Sequence, residues 1–228
     1  MVLVGVVGAV LGLLAFGADA VGGMAGQVLV ALTSSGFSWG LAAFLVGRFA
    51  AVRRQAIARA AVLLVVATLV YYALIVFVSR RWSGGYLEDG SPADMMGLLS
   101  VAKMTALWLF GSLVAGPVLG LLGHAVRSER TDAAALAAGV ACGALSGEGW
   151  QSVAAVEPWR LLGLADAQEA EFVRGVVAGE VLRVALPVGV LLWLTLRHRL
   201  RGSWPVLLGA FVVSGGAGAL CWYAIYRI

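Results

Sequence analysis

The sequence predicts an all-α, polytopic bundle of membrane-spanning helices that forms a single transmembrane domain. Of its 228 residues, 61% are hydrophobic and 12% are charged, whereas about 25% of the residues in soluble domains are charged. The mean hydropathy is +0.96. Several apolar runs also reach the roughly 20 residues that a helix needs to cross hydrocarbon. These three observations exclude a soluble globular domain.

Charged and turn-forming residues divide the chain into seven predicted spans. Residues 2–18 carry no charge and lack the basic start of a signal peptide, so we expect the first span to be retained. The uncharged run 20–47 is longer than one span, and 33–36 interrupts it, so we predict an interfacial segment over 24–33. Six spans, with the first cleaved or 20–52 re-entrant, are the alternative. The predicted spans are 2–20, 36–52, 57–79, 97–124, 133–152, 175–196 and 204–226.

The distribution of arginine predicts the orientation. The loops after spans two, four and six are basic, whereas the alternate loops are mainly acidic, so the N-terminus is predicted to be cytoplasmic. A short interfacial helix is predicted over 158–164.

The net charge of +4 comes from the arginines of the basic loops. We therefore expect no nucleic-acid partner. Fifteen of the sixteen basic residues are arginine, which is typical of GC-rich genomes and predicts a bacterial inner membrane. The arginines of the basic loops are Arg48, Arg53, Arg54, Arg59, Arg127, Arg130, Arg197, Arg199 and Arg201.

Two charged residues fall inside the sixth predicted span. A charge within a bilayer costs about 2.5–3.5 kcal/mol on insertion scales, so such residues usually face protein and mark a site. Glu180 and Arg183 are three residues apart and lie on one helix face. Pro187 has no N–H, which leaves the carbonyl of Arg183 without its helical partner.

Two further charges are predicted to lie at a similar level. At a rise of about 1.5 Å per residue, Glu148 of span five lies about 24 Å from the cytoplasmic boundary. Glu180 and Arg183 lie at about 25 and 21 Å, and Lys103 of span four lies at about 31 Å. The sequence therefore predicts one outer-half site for a ligand or a proton, formed by Glu148, Glu180, Arg183 and Lys103.

Two interpretations of this site remain open from sequence. In the first, an outward cavity lets Glu148 or Glu180 exchange a proton or hold a cation, while Arg183 and Lys103 bind an anion or a lipid headgroup. In the second, two acids and two bases form a closed and neutral network of ion pairs that fixes the helices.

No catalytic residue, metal ligand or cofactor is predicted. The chain has no HExxH or glycine-rich phosphate motif, and no histidine is predicted near a serine or cysteine at the outer level. Cys142 and Cys221 both lie in apolar runs, where cysteine acts as a small hydrophobe. Small residues spaced by four, such as Gly139, Gly143 and Gly147, predict close helix packing.

Three segments carry a resemblance to a known family. They are SSGFSWGLAAFLVGR at 34–48, AGPVLGLLGHAVR at 115–127 and GALSGEGW at 143–150. With them the chain resembles an uncharacterised family of multi-pass membrane proteins from GC-rich bacteria, known only as a domain of unknown function. The resemblance implies a bacterial membrane protein with six or seven spans, and it implies no activity, substrate or site residue.

Three functions fit the sequence. The first is a small transporter or permease-like protein with the outer-half charged site. The second is a non-catalytic subunit or assembly factor whose glycine-rich faces bind a membrane protein partner or a second copy of the chain. The third, an intramembrane enzyme for a lipid-linked substrate, would use Glu148 or Glu180 as general acid or base, and the sequence favours a non-enzyme. All three place the chain in the lipid bilayer.

Overall fold

The protein is all-α, as the sequence predicts. A computed structural model describes residues 1–87, 89–156, 170–197 and 200–227, and this part of the chain contains no β-strand. The interfacial helix predicted over 158–164 lies outside the described residues. A π-helical turn, Ile75–Ser79, extends α4, and a 3₁₀ turn, Leu200–Ser203, precedes α8. The α-helices are α1 Val2–Ala18, α2 Gly23–Thr33, α3 Gly36–Arg48, α4 Arg53–Leu74, α5 Asp94–Ser128, α6 Thr131–Val156, α7 Ala170–Arg197 and α8 Trp204–Ile225.

Five helical units in the described residues are long and apolar enough to cross a membrane. Helix α1 is apolar but shorter, with 17 residues. Helix α6 has 26 residues but is not one of the five; it is rich in Ala and Gly and contains Glu148. The chain is therefore a helical membrane protein. The five units are Gly23–Arg48, Arg53–Ser79, Asp94–Ser128, Val173–Arg197 and Trp204–Ile225.

The first of these units, Gly23–Arg48, is a broken helix. The sequence predicts an interfacial segment followed by a span over 36–52, whereas α2 and α3 are separated only by Ser34 and Ser35, and α3 ends at Arg48. Ser35 is the N-cap of α3, as its position before the helix predicts. Its hydroxyl accepts the N–H of Ser38 at 3.3 Å and donates to the carbonyl of Ala31 at 2.6 Å.

Other side chains satisfy the remaining polar groups at this break. The indole N–H of Trp39 donates to the carbonyl of Thr33 at 2.7 Å, and the Ser34 hydroxyl donates to the carbonyl of Ala15 on α1 at 3.2 Å. Irregular backbone at membrane depth persists only where such partners, protein burial or a cavity support it. The break is thus held by hydrogen bonds from both sides.

Small residues bring the helices into close contact. Helix α6 packs closely on α8 through Gly139, Gly143 and Gly147. A β-carbon at Gly143 would overlap the backbone oxygen of Phe211, and one at Gly147 would lie 2.6 Å from the carbonyl carbon of Gly218. Glycines also line the contacts of α1 and α5 with α4, and of α7 with α2. The spacing by four therefore reflects packing within one chain, as the sequence predicts.

The basic loops gather at one end of the bundle, which we call the basic end. Arg53 at the start of α4 forms an ion pair with Glu129 after α5. Arg127 donates to the backbone oxygen of Arg48 at 3.4 Å, and the Arg48 guanidinium lies 5.1 Å from the ring centroid of Trp193 on α7. The ends of α3, α5 and α7 therefore meet the start of α4, which is the arrangement expected of helices that alternate in direction.

We expect substitution of Gly143 by Ala to destabilise the protein by about 1–3 kcal/mol, because the added methyl group must push α8 away from α6. Thermal unfolding in detergent measures the change. Gly216→Ala on α8 is the matched control, since nothing lies within 4 Å of a β-carbon there. This change should be neutral or stabilising, since Ala favours a helix over Gly by about 1 kcal/mol. Equal unfolding temperatures for the two variants would contradict the packing.

Candidate functional site

Three of the four predicted site residues meet between α6 and α7. Arg183 forms a hydrogen-bonded ion pair with Glu180 on its own helix, with 2.8 Å between Nη1 and Oε1. Its Nε also lies 3.8 Å from Oε1 of Glu148 on α6. Glu148 and Glu180 are only 5% and 8% exposed. The guanidinium group thus lies between two buried carboxylates, and we call these three residues the acid cluster.

Glycine and proline determine how closely α6 and α7 approach at this level. A β-carbon at Gly149 would lie 3.0 Å from the carbonyl carbon and 3.1 Å from the oxygen of Arg183. Any side chain there would separate the helices and move Glu148 away from Arg183. The buried Pro187 cannot donate to that same carbonyl. The backbone of Arg183 therefore packs directly against the backbone of α6.

Glu148 also connects the acid cluster to the broken helix. Its Oε2 accepts the backbone N–H of Gly36, the first residue of α3, at 2.7 Å. The first N–H groups of a helix have no partner within that helix and carry partial positive charge, which favours an anion. The Tyr226 hydroxyl, just beyond α8, also interacts with Glu148. One carboxylate therefore contacts α3, α7 and the end of α8.

The acid cluster has one more acid than base. Lys103 does not join it: this side chain is exposed on α5, and none of the ion pairs in the described ranges includes it. Of the neutral set of four predicted from sequence, the described ion pairs therefore join three. Helical rise predicts the level of a residue but not the direction in which its side chain points.

Two buried atoms of the acid cluster lack hydrogen bonds. Within the described part of the chain, Oε2 of Glu180 and Nε of Arg183 are buried and have no hydrogen-bond partner. An unsatisfied buried polar atom costs about 1–3 kcal/mol, more for a charged group. With both acids ionised, the cluster carries a formal charge of −1 and retains one free carboxylate oxygen. These are the properties of a site that takes up a positive charge.

A second charged pair lies apart from the acid cluster. Asp19 after α1 accepts hydrogen bonds from the Tyr71 hydroxyl at 2.7 Å and from Arg81 at 2.9 Å. Asp19 thus belongs to a boundary pair that joins the ends of α1 and α4, as its predicted position at the end of the first span suggests.

The sequence offers an outward cavity as one interpretation of the site, but it does not predict the aromatic lining of the cavity next to the acid cluster. This cavity has a volume of about 220 Å³, and Gly36 belongs to its wall. The Ser-Gly pair ahead of a Trp-containing helix is the signal that could have indicated it, since such a break in an apolar run can accompany a cavity. We call it the aromatic cavity; its lining is Ala15, Ser34, Ser35, Gly36, Trp39, Tyr71, Tyr72 and Trp108.

Comparison with known proteins supplies no family for this chain. No family model, no curated protein and no solved structure matches it. The resemblance to an uncharacterised bacterial membrane family thus stays a prediction, and the function is argued from the site alone.

The arrangement suits ion binding better than covalent chemistry. No group of three or more His, Cys, Asp or Glu side chains in the described residues could hold a metal ion. His124 is buried at the basic end, where its Nδ1 lies 3.2 Å from the carbonyl of Ala50. The nucleophile and base pair of a hydrolase is therefore not assembled around the described acids.

A double-mutant cycle separates an excess negative charge from a closed ion-pair network. Arg183→Gln leaves two buried carboxylates side by side, so we expect it to destabilise the protein by about 3 kcal/mol or more. Glu148→Gln leaves the neutral Glu180–Arg183 pair and an amide oxygen for the N–H of Gly36, so we expect a change below about 1 kcal/mol. The double variant should regain part of the loss. Thermal unfolding of all four proteins in detergent gives the coupling.

A closed network predicts a different pattern. Both single substitutions would then destabilise the protein to a similar extent, and the double variant would return close to wild-type stability. That result would show that the acid cluster is a structural element rather than a binding site.

Proposed function

We propose that this protein is a small proton-coupled transporter or permease in which the acid cluster binds and releases one proton. The observation that carries the proposal is the buried Oε2 of Glu180, an acceptor without a partner in the described residues, in a cluster with two acids and one base. Two carboxylates held close together do not both ionise easily, so one of them readily takes up a proton.

The position of Arg183 favours a proton over a metal cation. Its guanidinium lies 2.8 Å from Glu180 and 3.8 Å from Glu148, so a metal ion held by both acids would be next to a like charge. A proton binds a single oxygen and needs no such shared position. Either acid can take it, because Arg183 then keeps the other acid as its ion-pair partner.

The broken helix supports a transport role. Transporters commonly build their sites from discontinuous helices whose N-terminal ends point at anionic groups near the middle of the membrane. Here the N-terminus of α3 points at the Glu148 carboxylate. When Glu148 is neutral, its bonds to Gly36 and Arg183 weaken, so protonation changes what holds the start of α3.

The glycine-rich faces do not favour the alternative of a subunit or assembly factor. The glycines at 8, 12, 116, 120, 139, 143, 147, 175 and 179 face other helices of the same chain. They are therefore already used in internal packing, although the apolar surface of the bundle remains available to lipid.

A pH step tests proton binding without knowledge of the solute. We expect proteoliposomes adsorbed on a solid-supported membrane to give a transient current after a step in external pH. Glu148→Gln and Glu180→Gln should reduce the current to the level of protein-free liposomes, because Gln cannot ionise. Glu129→Gln is the matched control: it changes an exposed carboxylate at the basic end and should keep the wild-type current. A wild-type protein without current, or Glu→Gln variants that behave like it, would refute the proposal.

We further propose seven spans in a bacterial inner membrane, with the N-terminus in the cytoplasm. This orientation turns the basic end inward, as the positive-inside rule requires, and places the acid cluster in the outer half. Helix α1 then crosses as the first span, and α2 with α3 forms the second.

Labelling of intact cells with a membrane-impermeant maleimide tests this topology. In a Cys221→Ser background, which removes the exposed native cysteine, Tyr86→Cys between α4 and α5 should react at once. Arg130→Cys between α5 and α6 should react only after permeabilisation. An N-terminal epitope tag should be retained and protected. The reverse labelling pattern would invert the orientation, and loss of the tag would remove the first span.

A further inference from the structure

We infer that the aromatic cavity binds a small organic ammonium cation, which is the solute exchanged or carried with the proton. The inference deepens the proposed function and rests on it for transport, whereas binding can be measured by itself. It follows from the rings that line the cavity, from the hydrogen bonds that its walls have already formed, and from the charge behind one wall.

Neighbouring rings of the cavity lining pack edge to face. The rings of Trp39 and Tyr71 meet at 85° with centroids 6.3 Å apart, and those of Tyr71 and Tyr72 meet at 90° with centroids 5.2 Å apart. Trp108 adds a fourth ring to the lining. The faces of such rings attract cations, and aromatic cages are the usual site for quaternary ammonium groups.

The polar groups of the wall favour a cation over an anion. Their donor hydrogens are largely used within the protein: the hydroxyls of Ser34 and Ser35 donate to Ala15 and Ala31, the indole of Trp39 donates to Thr33, and the Tyr71 hydroxyl donates to Asp19. The N–H of Gly36 is taken by Glu148. Among the described side chains of the lining, only the Tyr72 hydroxyl and the Trp108 indole N–H keep a free donor hydrogen, whereas four rings and the hydroxyl oxygens can attract a positive charge.

The acid cluster lies directly behind Gly36. A β-carbon at Gly36 would lie 3.0 Å from Oε2 of Glu148, so that carboxylate contacts a residue of the cavity wall. The Trp222 ring covers the same glycine and packs against Trp108, with ring centroids 5.7 Å apart. The excess negative charge of the cluster therefore acts on a cavity whose described lining contains no basic residue.

The volume restricts the ligand to a small one. Ligand pockets for drug-sized molecules are about 300–1,000 Å³, and this cavity has about 220 Å³. A methylated ammonium group with a short substituent fits that range, so choline is a suitable probe. Its neutral carbon analogue, 3,3-dimethyl-1-butanol, has nearly the same shape without the charge.

The test uses the whole 228-residue chain in detergent. We expect choline chloride to raise the unfolding temperature in a saturable manner, since a ligand that binds only the folded state stabilises it. Equal concentrations of 3,3-dimethyl-1-butanol or sodium chloride should not. Equal shifts with choline and its analogue would indicate an apolar occupant such as an acyl chain, and they would overturn the inference, as would the absence of a shift with choline.

Variants then locate the site. Trp108→Leu and Tyr72→Leu should each weaken the apparent affinity for choline by about 2- to 30-fold, the range expected for loss of one cation–π contact. Tyr72→Phe keeps the ring and should bind like the wild type. Trp204→Leu, an exposed ring at the start of α8, is the matched control and should also bind normally. Cage variants with unchanged affinity would contradict the assignment.

The outcomes separate this inference from the proposed function. A wild-type pH-step current without choline binding would refute the substrate class and leave proton binding intact. Choline binding without any pH-step current would support the cavity and refute proton coupling.

Discussion

The hydrogen bond from the Gly36 N–H to the Glu148 carboxylate connects the parts of this structure that matter most for function. Helix α3 begins at the half-buried Gly36, whose N–H has no partner within the helix, and a residue 112 positions away supplies the acceptor. The same carboxylate lies next to Arg183 of α7. Its own helix is fixed to α8 by a row of glycines. Glu148 therefore stabilises the break between α2 and α3, and the N–H of Gly36 at the break in turn stabilises the Glu148 carboxylate.

Because of this arrangement, the charge of Glu148 affects how α6 packs against α3 and α7. Ionised Glu148 attracts both the N-terminus of α3 and the guanidinium of Arg183, and each attraction offsets part of the cost of burying it. When Glu148 is neutral, its attraction to the N-terminus of α3 and its attraction to Arg183 are both much weaker. Arg183 then retains Glu180 as its ion-pair partner at 2.8 Å. Protonation of Glu148 would thus weaken the contact between α6 and the start of α3. The Glu180–Arg183 ion pair within α7 would remain.

The sequence predicts the level of the site along the membrane normal better than it predicts which residues form the site. Glu148, Glu180 and Arg183 meet as expected, because helical rise places them at one level and the cost of a buried charge drives them together. Lys103 does not join them, because the level of a residue leaves its direction around the helix open. Gly36 and Tyr226 were missed, since their contacts with Glu148 join distant parts of the chain. Periodicity detects only neighbours along one helix.

The break at 34–35 shows the same limit in the fold. An interruption by Thr, Ser and Gly in an apolar run is visible in the sequence. Whether such an interruption lies at the membrane boundary or within a span depends on partners from other helices. Here Ala15, Trp39 and Glu148 supply those partners, and α2 and α3 form one broken helical unit.

The aromatic cavity and the acid cluster share a wall, and this has a consequence for coupling. Gly36 is both the donor to Glu148 and part of the cavity lining, and Trp222 covers it while packing against Trp108. A cation in the cavity and a proton on the acid cluster would lie on opposite sides of one glycine, so each disfavours the other by like-charge repulsion across a region of low dielectric constant. By linkage the effect is reciprocal. Two sites related in this way favour exchange of one cation for the other over simultaneous occupation.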